Sequence, residues 1–198
     1  MKRKMITTVF VLFILGIMTG CGKKDTTLDY KTKYEHRELG SSVYMEASKE
    51  FSGGDGSEES PYEISTANDL RLLAEIYNTE DDRIYDYKHK YYILTDDIVL
   101  NGTSNHENWA EERPAYDWSP IGKRNDFDGC FDGNGHTIRG LYVNYDVVDD
   151  HSEDRYGLFA YVSGTIKNLN IEKAYVEVSG DIATVGILVG NLSGILEF

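Results

Sequence analysis

The chain has 198 residues, with 34 Asp plus Glu against 20 Lys plus Arg, for a formal net charge of −14 at pH 7. So much negative charge repels nucleic acid and anionic lipid headgroups, which argues against both as partners. Cysteine occurs only at 21 and 130, which excludes a disulfide framework, so the folded part must be held by its core.

In chain order, the first element is an export signal. Lys2, Arg3 and Lys4 form a basic start, and residues 5–18 are apolar apart from Thr7, Thr8 and Gly16. As a helix such a run rises only about 21 Å, short of the hydrocarbon thickness of about 30 Å. With that charge pattern it reads as a cleavable signal over residues 1–20. Met18-Thr19-Gly20-Cys21 resembles a lipobox, with Met18 where leucine is usual. The resemblance implies a thioether-linked diacylglycerol on Cys21, cleavage ahead of it, and an outward-facing, lipid-anchored protein at the cell membrane. Two or more acyl chains hold a protein durably where one does not. Loss of residues 1–20 removes three basic residues and no acidic one, so the net charge falls from −14 to −17.

Residues 21–56 read as a flexible polar tether, given their charged composition and the Ser41-Ser42 and Gly53-Gly54 pairs. Residues 57–198 then suffice for one domain with its own core. Its first element is a helix of roughly residues 66–78. Thr66 is placed to cap it, Asp69 completes a capping box, and Leu70, Leu73 and Tyr77 share one face. Residues 91–100 and 118–121 read as strands, separated by a polar excursion. Asp132-Gly133-Asn134-Gly135 is a turn.

Self-similarity marks the C-terminal part. Thr137-Ile138 recurs as Thr165-Ile166, Gly157-Leu158-Phe159 as Gly186-Ile187-Leu188, and Ser163-Gly164 as Ser193-Gly194. The offsets are 28, 29 and 30 residues, which points to a repeated unit. Within it, Ala174, Val176 and Val178 alternate with Tyr175 and Glu177, the period of a half-buried strand. Ile166 and Leu169 are out of phase, so the chain must bend near Lys167-Asn168. Short strands, corners and a fixed repeat predict a mainly β fold, a right-handed parallel β-helix solenoid with one N-terminal capping helix.

Phe51-Ser52-Gly53-Gly54-Asp55-Gly56 with Pro61-Tyr62-Glu63-Ile64, and Trp118-Ser119-Pro120-Ile121-Gly122 with residues 127–138, resemble GLUG-motif surface proteins. Residues 186–195 are similar to the repeat itself, with Ile187 where a second glycine is usual. The resemblance covers about residues 51–198. It implies a β-helical, adhesin-like surface protein and no catalytic set. The last repeat has only begun at Phe198, so the domain reads as truncated, with residues 186–198 an unprotected edge.

Chemistry-bearing residues are sparse. Asp126, Asp128 and Asp132 are the candidate metal ligands, but an EF-hand count from Asp126 meets Cys130 at the fifth position and Thr137 at the twelfth, so a turn is favoured. His106-Glu107 begins a zinc-peptidase motif, yet Ala110 stands where the second histidine belongs. His136 reads as a structural hydrogen-bonding residue and Cys130 as a small core residue. Trp109, Tyr116 and Trp118 are the candidate contact surface, with Tyr85, Tyr87, Tyr91 and Tyr92; burial in the core is the competing reading.

These features lead to a lipid-anchored, non-catalytic, adhesin-like module, with no cofactor. Its expected partners are the membrane, through the anchor, and surface glycans or proteins of host or neighbouring cells. The alternatives are a pectin-lyase-type β-helix enzyme or an inactive remnant. Cys21→Ser is expected to release the protein from the membrane fraction or to leave it as uncleaved precursor. Fractionation and intact-mass measurement check this; a correctly processed, membrane-bound mutant would contradict it.

Overall fold

The computed structural model of the chain describes residues 5–6, 43–146, 155–180 and 184–198; Cys21 lies outside these residues. The fold is mainly β with one α-helix, and its strands are two to six residues long. Strand β1 (Met5–Ile6) is followed by β2 (Tyr62–Ile64), helix α1 (Ala67–Tyr77), β3 (Tyr91–Leu94) and β4 (Ile98–Val99). Next come β5 (Cys130–Asp132), β6 (Thr137–Arg139), β7 (Tyr142–Asp146), β8 (Arg155–Tyr156) and β9 (Phe159–Val162). A second round follows as β10 (Thr165–Lys167), β11 (Asn170–Glu172), β12 (Tyr175–Gly180), β13 (Thr184–Val185) and β14 (Val189–Leu192), and β15 (Ile195–Glu197) begins a third.

The second round lies beside the first, strand for strand. β10 pairs with β5, β11 with β6, β12 with β7, β13 with β8 and β14 with β9, all in parallel. β15 then returns to β10. The longest sheet runs β15-β10-β5-β3-β2; the others have two or three strands, and none closes on itself. β1 lies antiparallel along the end of β12.

Parallel in-register pairing aligns side chains from successive rounds in columns. Tyr92, Phe131 and Ile166 form one inward column and are at most 1% exposed. Ile98 and Ile138 form a second, and Val143 and Val176 a third. Val176 and Val178 are buried between the half-exposed Tyr175 and Glu177, as the alternation predicts.

The bend expected near Lys167-Asn168 is present, with Asn168 left-handed at φ 51°. Asn134 turns the equivalent corner of the previous round at φ 50°, and asparagine tolerates this region better than other non-glycine residues. The corner between β5 and β6 holds four residues, and that between β10 and β11 only two. This difference corrects one of the three repeat matches. Thr165 pairs with Cys130, and Thr137 with Asn170, so the likeness of Thr137-Ile138 to Thr165-Ile166 is not a structural register. The other two matches are near neighbours across the stack. Leu158 N–H donates to Ile187 O, and a Cβ on Gly194 would lie 1.9 Å from Gly164 O. Gly164 in turn presses on Gly129, where a Cβ would meet the carbonyl oxygen at 2.0 Å. No side chain fits in that column.

Helix α1 occupies the passage between β2 and β3. Thr66 caps it, and both halves of the capping box with Asp69 are formed. Leu70, Leu73 and Tyr77 are fully buried. Its C-terminal end rests on residues 119–125: Asn125 N–H donates to Tyr77 O, and Asn78 Nδ2 to Pro120 O. Residues 118–121 are not a regular strand, although Trp118 N–H bonds Tyr142 O and Ile121 bridges Phe159 in parallel.

The expected flexible tether to residue 56 is corrected over residues 43–56, which are fastened to the domain. Met45 is buried, Ser48 N–H donates to Asn68 O, Ser52 N–H to Glu63 O, and the Phe51 ring lies 4.8 Å from that of Tyr62. Polar composition suggested a tether because the fastening uses serine hydroxyls and a few spaced apolar residues. At the other end, Ile195 and Phe198 are 54% and 86% exposed, while Leu188 and Leu196 are partly buried.

Phe131 sits at the centre of the longest inward column. Phe131→Ala is expected to cost about 3–5 kcal/mol, whereas Tyr85→Ala, at an exposed site, should stay within about 0.5 kcal/mol. Urea denaturation of the two variants measures both.

Candidate functional site

Register also organises the outward faces. Strands in one sheet lie about 4.8 Å apart, so equal charges stacked in a column repel and opposite charges attract. On the sheet of β4, β6 and β11, Arg139 Nη1 bonds Asp97 at 2.7 Å and its Nε bonds Glu172 at 2.9 Å. Thr137 N–H donates to Asp97 at 2.9 Å, and His136 Nδ1 is 3.4 Å away. The Arg139 hydrogen bond, with that of Thr137, pulls the Asp97 carboxyl down to about 2, and Asp97 and Glu172 raise Arg139. On the longest sheet, Lys167 Nζ is 3.3 Å from Asp132, whose carboxylate also accepts Asn134 N–H and Asn168 Nδ2. Burial pushes the Asp132 carboxyl up, but these three partners outweigh it and the net shift is downward.

Of the candidate metal ligands, Asp126 is exposed. Asp128 is committed elsewhere. It accepts the Tyr77 hydroxyl and the His89 N–H, both at 3.1 Å, and pairs with Lys88 at 3.6 Å. Asp132 is held as described. Among the described residues, no three His, Cys, Asp or Glu side chains gather as metal ligands.

The candidate aromatic trio separates. Trp109 and Trp118 are 2% exposed and Tyr116 is 39% exposed, so only Tyr116 offers a ring to solvent. Trp109 meets the Tyr142 ring edge-on at 5.7 Å, and Tyr142 stacks on Tyr175 at 5.4 Å. The Trp118 indole N–H donates to Leu158 O. Tyr92 is buried, while Tyr85, at 69%, is the most exposed tyrosine of the wider set. Cys130 is corrected too. It is half-buried on the outward side of β5, in register with Tyr91 and Thr165, because Phe131 takes the inward position. Burial raises its pKa, which keeps the thiol protonated and weakly nucleophilic.

Besides Thr137, three polar residues are buried. Asn101 Nδ2 donates to Tyr116 O and Gly140 O, and its Oδ1 accepts Tyr116 N–H, closing the base of the 101–117 excursion. Asp117 pairs with Arg113 and accepts Val43 N–H. Asp69 accepts both Ser48 and Ser52 hydroxyls besides completing the helix cap. The capping box pointed to Asp69; no local pattern marks the other two, whose partners lie far along the chain. No described helix is long and apolar enough to cross a membrane.

No family model matches the chain, and no solved structure matches it. Two known proteins are similar. One is described by name as a Gly-rich membrane protein of Evansella cellulosilytica, 31% identical over 160 residues that cover 79% of this chain and 16% of that protein. The other is halomucin of Haloquadratum walsbyi, 29% identical over 147 residues, covering 72% of this chain and 1% of halomucin. The chain thus spans a small part of each relative's length.

The charged ladder gives a pH prediction. Because the folded Asp97 carboxyl titrates below its ordinary value of 3.8, its contribution to stability is complete above that value and is lost as pH falls toward about 2. Carboxyl chemical shifts followed by NMR should show Asp97 titrating near about 2, and Arg139→Ala should return it upward. An unchanged midpoint in that variant would separate the shift from the ladder.

Proposed function

We propose that the chain is a lipid-anchored cell-surface protein whose β-rich domain is a non-catalytic, adhesin-like binding module. The observation that carries the reading is the combination of a lipobox-like anchor sequence with a long similarity to proteins named as a Gly-rich membrane protein and a halomucin. The order in which the chain revisits its sheets supports a parallel β-helix as the architecture, with α1 over its first passage, and the general preference of parallel crossovers makes it right-handed. The GLUG-like runs at residues 51–64, 118–138 and 186–195 fit this assignment. In this reading the stacked strands serve as stalk and platform, and the partners are surface glycans or proteins of host or neighbouring cells.

Binding of this kind needs outward side chains at fixed spacing, which in-register strands supply. The exposed faces carry charged ladders and the ring of Tyr116. Within the 126–132 segment, Asp128 and Asp132 act as structural acceptors and Asp126 faces solvent.

The test is incubation of the mature protein with neutral and acidic polysaccharides and with surface glycoproteins, with and without calcium. Retention without new reducing ends, unsaturated sugars or peptides is the expected result. Release of unsaturated oligosaccharides would replace this reading with the lyase, and no retention on any material would favour a remnant.

A further inference from the structure

The segment on the anchor side of the domain carries an inference that rests on the reading of Cys21 as the attachment point. Residues 43–52 form a strap with two polar fastenings. At the first, the Asp117 carboxylate accepts Val43 N–H at 2.7 Å, and Asp117 N–H donates to Val43 O at 2.7 Å. The Asp117 side chain is 2% exposed and is paired with Arg113. Beside it, the Tyr44 and Tyr145 hydroxyls meet at 3.0 Å. At the second, the Asp69 carboxylate accepts the Ser48 hydroxyl at 2.6 Å and the Ser52 hydroxyl at 2.8 Å.

Between the fastenings the strap rests on one cation. Arg71 on α1 sits under Tyr44, with its guanidinium 5.0 Å from the ring centroid, a cation–π contact that holds the strap down weakly. Its Nη2 also pairs with Glu75 at 3.3 Å. Beyond Ser52 the chain changes character: Gly53 bridges Glu63 and leads into β2, an integral strand of the longest sheet. Peeling past that point has to break the sheet.

We propose that residues 43–52 are a releasable strap. A pull from the anchored side peels it from Val43 toward Ser52 while the stacked strands stay folded. Ten residues of extended chain have a contour of about 35 Å, which is the upper limit on the length added between anchor and domain. A bound partner under load is then followed by lengthening of the link and not by loss of the fold.

Hydrogen exchange of the mature chain in detergent micelles tests this without force. Ser48 N–H, bonded to Asn68 O, reports the strap, and Ser52 N–H, bonded to Glu63 O, reports its stop. Ser48 is expected to exchange at least about tenfold faster than Phe131 and Ile166 in the stack. Arg71→Met should speed Ser48 exchange about threefold by removing the cation under Tyr44, and Asp117→Ala should speed it about tenfold. Pulling between thiols introduced as Thr26→Cys and Tyr85→Cys, in a Cys130→Ser background, should give a reversible step of at most about 35 Å before any larger one. Exchange of Ser48 at the rate of Phe131, unmoved by Arg71→Met, would overturn the proposal, as would a first step that unfolds the stack. The same exchange run on Cys21→Ser separates the two readings: strap release is expected unchanged there, while membrane partition of that variant reports on the anchor alone.

Discussion

Parallel in-register pairing between segments about thirty to forty residues apart is the constraint on which the rest of this structure depends. It forces each residue to be compatible with its counterpart in the next round at a distance of about 4.8 Å. Three kinds of column follow. Apolar inward columns such as Tyr92–Phe131–Ile166 build the core. The glycine column 129–164–194 lets backbones approach where no Cβ fits. Outward columns alternate charge, as in Asp132–Lys167–Glu197, because equal charges at that spacing repel. With an excess of acidic residues, each basic side chain on these faces is bracketed by carboxylates. Exposed pairs of this type contribute little stability individually; their effect is to favour one register over a slipped one, in which like charges would meet.

The same constraint accounts for carboxylates that look like metal ligands. Asp132 lies in the column of Lys167, one position before a corner, and it caps the Asn134 N–H and the Asn168 amide. Asp128 receives the Tyr77 hydroxyl from the helix and the His89 N–H from the loop before β3. Each carboxylate therefore joins pieces of chain that come from different rounds. A corner in this fold exposes backbone N–H groups that the next strand does not take, and a short acidic side chain is a suitable acceptor for them. Asp132 thus serves the corners and Asp128 ties the helix and the loop before β3 to the next round.

Local signals in the sequence were legible where the partner is near in the chain. The Thr66–Asp69 cap, the apolar face of α1 and the alternation of residues 174–178 all involve residues within one element. The bend at Asn168 was legible from a phase slip in the apolar pattern, while its left-handed backbone is seen only in the structure. What could not be read depends on distance. The Thr137–Thr165 likeness misled because the 133–136 corner is two residues longer than the 168–169 corner, so similar tripeptides fall in different sheets. Trp109 looked available for contact in its polar surroundings, but it folds back on Tyr142, more than thirty residues later. The strap looked like a tether because its acceptors, Asp69 and Asp117, are distant and nothing around Val43 announces them.

Helix α1 sits where it does for a related reason. The first passage has no earlier round to pair with, so strands there would leave a row of unpaired backbone groups at the end of the stack. A helix satisfies its backbone internally and needs only one apolar face, which Leu70, Leu73 and Tyr77 provide. Its ends still require partners. Thr66 and Asp69 close the N-terminal end, and the C-terminal carbonyl of Tyr77 accepts Asn125 N–H and its Nδ2 from the following round. The Asp69 carboxylate does double duty as helix cap and receiver of the Ser48 and Ser52 hydroxyls. Its burial alone would raise its pKa; the four residues that donate to it reverse that, so the carboxylate stays ionised. The end of the stack and the attachment of the preceding chain are therefore secured by one charged group, and loss of that group would loosen both together.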